Sequence, residues 1–226
     1  MTDNDEPIEK IDSQEKIIEL ARVTESNEEF VNAVSDLIGP LKDNSSAWLF
    51  LTTKLLEVGL PPAALATCKQ GLRINPNEAL GWTLCGELLR LGLKQIAMSF
   101  LTGTDEKKLA KLYLGRALLP DEGIPEVLQK MKDDAAGAYR KATELDPTNA
   151  VYWLAFGRQL SMNRSDEAEI AYRKAIDIEP HDSLHWVALY DWYITNKRES
   201  DAKTLAKQAK DYKFDLKKEL KKIKKK

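Results

Sequence analysis

The 226-residue chain is 43% hydrophobic and 31% charged, with a net charge of −2. That balance suits one or two folded domains with a core of their own, and it excludes a disordered chain and the basic character of a nucleic-acid domain. Eleven glycines and nine prolines are few for a turn-rich sheet protein, and two cysteines are too few for a disulfide framework.

Residues 1–12, MTDNDEPIEKID, are acidic and are expected to be disordered. They lack the charged-then-apolar pattern of a signal peptide. No apolar run approaches the roughly 20 residues of a membrane span, so a cytoplasmic protein is expected. Residues 1–36 carry a balance of −8, against +5 over 211–226. Residues 13–45 predict two helices, EKIIELARV and EEFVNAVSDLIG, the second starting at Ser26-Asn27-Glu28-Glu29. They would form a degenerate hairpin or cap.

From residue 46 the chain repeats itself. Trp48 and Trp82 are 34 residues apart, Trp153 and Trp186 33 apart, and Pro76, Pro147 and Pro180 each precede a tryptophan by six residues. A period near 34 is the signature of stacked helical hairpins. Hairpins are expected at 46–76, 79–103, 106–147, 150–180 and 183–210. In the first, Trp48, Leu51, Leu55 and Leu56 share a helix face and Gly59 stops the helix. The third is degenerate: in LAKLYLGRALL, Lys111 stands in the tryptophan slot and Gly115 in the place of Gly86 and Gly157. The second helices carry a small residue for close approach, Ala64, Ala97, Ala168 or Ala202, followed one turn on by Cys68, Leu101, Tyr172 or Ala206. Proline then closes the helix. One hairpin cannot bury its apolar face alone, so the core is expected between units. In 211–226, Tyr212, Leu216, Leu220 and Ile223 recur at helical spacing among lysines, as a terminal capping helix would.

These residues resemble the tetratricopeptide repeat family. The pattern W-x2-L-G, A-x3-F/Y-x2-A and P is matched by Trp153, Phe156, Gly157, Ala168, Tyr172, Ala175 and Pro180. The unit Trp48–Pro76 matches at Trp48, Leu51, Gly59, Ala64 and Pro76, with Thr52 in the glycine position. The resemblance covers roughly 46–210. It implies an all-α, right-handed superhelical solenoid of antiparallel hairpins, whose concave face binds a peptide or helix of a partner protein.

No catalytic constellation emerges. His181 and His185 are four apart with Asp182 nearby, but two histidines are too few for a structural metal site, and turn and surface roles are expected. Cys68 and Cys85 read as small core hydrophobes rather than nucleophiles. No glycine-rich phosphate loop is present. The tryptophans read as packing residues. No enzyme activity, cofactor, metal or small-molecule substrate is expected.

The register of the resemblance places the groove. One residue after each tryptophan slot come Leu49, Thr83, Leu112, Leu154 and Val187. One turn on come Thr53, Glu87, Arg116, Arg158 and Asp191, and then Leu56, Arg90, Leu119, Ser161 and Ile194. Arg116 and Arg158 could grip a carboxylate bidentately, or Glu87 and Asp191 could neutralise them. The acidic N-terminus could fold back onto them. The carboxylate clamp that some family members use for chaperone tails is missing, with Leu49, Thr53 and Glu87 at its places. A non-enzymatic scaffold is expected. The alternatives are nucleic-acid or anionic-surface binding by the tail KKELKKIKKK, which lacks arginine and late aromatics, and self-association, as in a homodimer, through the ends of the stack.

Overall fold

The structure is a computed structural model that describes residues 14–223 apart from 25, 116, 117, 119–121 and 162–165. The segment 1–12, Arg116, Leu119 and the last three lysines lie outside the described residues. Among the described residues all regular structure is helical. The chain divides into two compact units, Met1–Ala138 and Tyr139–Lys226.

In the first unit, α1 (Gln14–Val23) and α2 (Asn27–Ile38) precede a 3-10 turn at Gly39–Asp43. Ser26 caps α2, its Oγ accepting from the Glu29 N–H at 3.1 Å. The helix buries Phe30, Val34 and Ile38, one face at a four-residue spacing. Next, α3 (Ser45–Glu57) and α4 (Pro61–Ile74) form a tight antiparallel hairpin. Gly59 turns it in the left-handed region (φ 76°), with the Leu60 N–H returning to the Leu55 carbonyl at 2.9 Å. Pro61 and Pro62 start α4, where the missing N–H costs nothing. Thr52, in the family's glycine position, is buried and meets the Thr67 hydroxyl at 3.0 Å across the hairpin.

The span 79–103 differs from expectation. It is one unbroken helix, α5 (Ala79–Thr102), not a hairpin. Between its ends there is no proline, and Gly81, Gly86 and Gly92 do not break a leucine-rich helix. The expected second-helix packing position Leu101 is accordingly 76% exposed. The helix ends at Gly103, in the left-handed region. A short α6 (Glu106–Leu114) follows, capped by the Asp105 carboxylate. Gly115 (φ 71°) ends α6 rather than packing inside it, so the sequence register fails in this unit. The nearby Leu112 carbonyl accepts from the Asn27 amide at 3.1 Å, tying α2 to α6.

The long α7 (Ile124–Leu145) follows. A Cβ on Gly92 would lie 2.6 Å from Tyr113 Cε1 and 2.8 Å from Met131 Cε, so α5, α6 and α7 converge there. Gly92→Ala gains about 1 kcal/mol of helix propensity but overpacks against a ring, at a cost of about 1–3 kcal/mol. A net destabilisation is expected, read as a lower urea midpoint. An unchanged or higher midpoint would mean that the three helices yield at this junction.

In the second unit, α8 (Ala150–Ser161) pairs with α9 (Glu167–Ile178), and α10 (Ser183–Thr195) with α11 (Glu199–Asp211). Gly157 lets Tyr172 lie flat on α8: a Cβ there would be 2.7 Å from the ring. The last helix, α12 (Leu216–Ile223), packs on α10 and buries Leu216. Lys197 (φ 59°) and Lys213 (φ 66°) end α10 and α11 in the left-handed region. Holding a side chain there costs about 1 kcal/mol each.

Candidate functional site

The tryptophan–proline spacing has a local cause. The indole Nε1 of Trp82 donates to the Pro76 carbonyl at 2.7 Å, Trp153 to Pro147 at 2.9 Å and Trp186 to Pro180 at 2.9 Å. Trp48 makes the same bond to Lys42 at 2.7 Å, without a proline. Each tryptophan therefore latches the turn that leads into its own helix. Trp48 and Trp186 are buried, while Trp82 and Trp153 are half-buried.

The groove positions taken from the repeat register divide sharply. Leu49, Thr83, Leu154 and Val187 are buried and belong to the core, while Leu112 is half-buried. The position after each tryptophan turns toward neighbouring helices: Leu49 Cδ atoms lie against Gly71 and Gly81, on α4 and α5. Thr53 is half-buried and its hydroxyl donates to the Phe50 carbonyl at 2.8 Å. The next row is accessible. In the first unit Leu56, Glu87 and Arg90 share a depression of about 170 Å³ with Leu84, Leu91 and Lys94. Glu87 is engaged by Arg90 of its own helix, with Nε at 3.1 Å. In the second unit Arg158 is exposed on α8, Asp191 half-buried on α10 and Ile194 43% exposed at the end of α10.

A larger opening lies at the end of the second unit. It encloses about 940 Å³ between α11 and the start of α12. Tyr190, Ile194, Ala202, Ala206 and Phe214 form its apolar wall. Lys197, Lys203, Lys207, Lys210, Lys213 and Lys217 surround it, with Glu199 and Asp215 the acids present. Among the described residues none of these six lysines has an ion-pair partner. Of the groove positions only Ile194 lines this site. The signal available in the sequence was the lysine spacing in KTLAKQAKDYKFDLK.

A polar staple joins α9 to the following hairpin. Glu169 accepts from Tyr193 (2.6 Å), Arg173 (2.9 Å) and Arg198 (2.7 Å), and Arg198 also reaches Asp201 at 2.6 Å. Burial pushes the Glu169 carboxyl up, but these donors outweigh it and hold the group below its ordinary value. The same burial, reinforced by Glu169, pushes Tyr193 up to about 12.

The histidines have separate settings. His185 is buried, with Nδ1 3.3 Å from the Glu179 carbonyl. A carbonyl only accepts, so Nδ1 is the donor in this contact. His185 was expected at the surface; its side chain instead enters the core beneath the turn. Glu179, Asp182 and His185 bring ligand-type atoms within 4.8 Å of one another. His181 packs edge-on against Tyr212 at 5.4 Å. Cys68 and Cys85 are free and buried between α4 and α5. The neighbouring Cys85 thiol and burial push the Cys68 thiol far up, which suits a packing role and not a nucleophile. No helix among the described residues is long and apolar enough to cross a membrane.

No protein-family model matches the chain, and no curated protein sequence does. Solved structures do. A crystal structure of MamA aligns at 21% identity over 88% of this chain and 91% of that one, with a TM-score of 0.54. A second MamA crystal structure aligns at 17% over 89% and 91%, with a TM-score of 0.56. TTC0263, a thermophilic TPR protein of Thermus thermophilus, aligns at 17% over 92% and 97%, with a TM-score of 0.53. At these identities the likeness is one of fold. The chain has the tetratricopeptide-repeat fold, all-α among its described residues.

Proposed function

We propose that this protein is a non-enzymatic, cytoplasmic interaction scaffold that binds an extended or helical segment of a partner protein through accessible side chains on α3, α5, α8 and α10. The observation that carries this reading is the first-unit depression, where Leu56, Glu87 and Arg90 meet at one opening. Apolar surface beside a charged pair is the chemistry that a side chain from an amphipathic segment complements. Arg158, Asp191 and Ile194 extend the reading in the second unit, and Arg116 joins it by sequence position alone. The fold supports the general role, since repeat stacks present surface rather than catalytic clefts.

The test compares wild type with an Arg116→Glu, Arg158→Glu double variant for protein retained from source-cell extract, at two salt concentrations and with nuclease. At least one protein held by wild type and lost by the variant is expected, with unchanged circular dichroism. If both hold the same material, and nuclease or salt removes it, the scaffold reading falls and the lysine-rich C-terminus is the functional surface.

A further inference from the structure

The face of α11 that borders the 940 Å³ opening corresponds to the face by which α9 holds the next hairpin. On α9 the anchoring residues are Glu169 and Arg173, which bind Tyr193 and Arg198. Thirty-four residues later the same positions on α11 are Lys203 and Lys207, and both line the opening. The helix α12 docks mainly on α10 and gives only its first residues, Leu216 and Lys217, to the opening. The helix α11 therefore carries a docking surface of the type that receives a helix inside the repeat, but with its ion-pairing residues changed to lysine.

We propose that this terminal face binds an acidic amphipathic helix of a partner protein. The proposal rests on the scaffold reading above and names a site and a partner chemistry for it. Three features argue for that occupant. Ala206, half-buried on α11, leaves room for a helix backbone to approach closely. Ile194, 43% exposed, and Phe214 give its apolar stripe a seat. The six lysines match glutamates flanking that stripe, and a complementary charge pattern selects such a partner and speeds its capture. Lys197 and Lys213 keep their side chains on this rim in a backbone conformation that glycine adopts more easily.

The test titrates the full chain into a fluorescein-labelled peptide of roughly 18 residues, with leucines at helical spacing and glutamates elsewhere, and into its shuffled isomer. Anisotropy should show binding of the amphipathic peptide that weakens as salt rises. Binding should be about tenfold weaker or worse for the shuffled isomer, for Lys203→Glu/Lys207→Glu, and for Ala206→Trp, which fills the seat without changing charge. Equal binding of both peptides would overturn the proposal, because charge alone would then explain it and an oligonucleotide would serve as well. Unchanged binding by both variants would also overturn it. So would a dimer by light scattering that Lys203→Glu/Lys207→Glu dissolves, which would assign the face to a second copy. The same extract assay separates this from the broader reading. A partner lost by Arg116→Glu/Arg158→Glu but kept by the lysine variant leaves the scaffold standing and removes the terminal site. The reverse result supports the terminal site and removes the first-helix surface.

Discussion

Trp48→Ala is expected to lower the unfolding free energy by about 4 kcal/mol, from an emptied aromatic site and a lost, partly buried hydrogen bond. Trp48 is fully buried, and its Nε1 donates to the Lys42 carbonyl at 2.7 Å. The two contributions separate by substitution. Trp48→Phe keeps much of the ring and removes the donor, so it should cost about 1–2 kcal/mol. At Trp153, which is half-buried and whose bond to Pro147 is exposed, alanine should cost less than at Trp48. Urea denaturation of the three variants checks the ordering. A Trp48→Phe variant as stable as wild type would show that the indole only fills space and does not latch the turn.

Glu169→Ala should be the most damaging polar change in the second unit, at about 2 kcal/mol near neutral pH, because it strands one tyrosine and two arginine donors at once. The arginines remain partly solvated, which keeps the loss below that of a fully buried pair. The pH dependence follows from the carboxyl's depressed pKa. A depressed carboxyl contributes stability that is present above its unfolded value and is lost as pH falls through the folded value. Tyr193 has the opposite sign: raised to about 12, it contributes below the ordinary tyrosine value and loses that contribution as pH climbs toward 12. Wild type should therefore lose more stability than Glu169→Ala between about pH 6 and pH 3, measured as the shift of the urea midpoint. Parallel acid slopes would remove Glu169 as the source of the dependence.

What the chain legibly encodes is local. A tryptophan six residues after a proline is readable because the bond it makes spans those six residues and nothing else. Gly59 and Gly157 are readable for the same reason: one ends a helix in the left-handed region, and the other admits the tyrosine of its own hairpin. The helical class and the repeat spacing follow from such bonds, and so does the position of Ser26 at the head of α2.

The period misled where tertiary packing overrode it. A turn was expected inside 79–103, but α5 runs through because Gly92 is used to admit Tyr113 and Met131 rather than to bend the chain. The repeat register equates Gly115 with Gly86 and Gly157, yet Gly115 ends α6.

The groove shows the same division. Counting from each tryptophan found Leu56, Glu87 and Arg90, which share an opening, but it also took in Leu49, Thr83, Leu154 and Val187, which are buried. Offset along a helix specifies a direction, whereas burial depends on what packs in that direction. The lysine-rimmed face of α11 is the furthest from sequence reach. Its residues are plain in the chain, yet whether they are covered depends on where α12 docks, and α12 packs on α10 and buries Leu216.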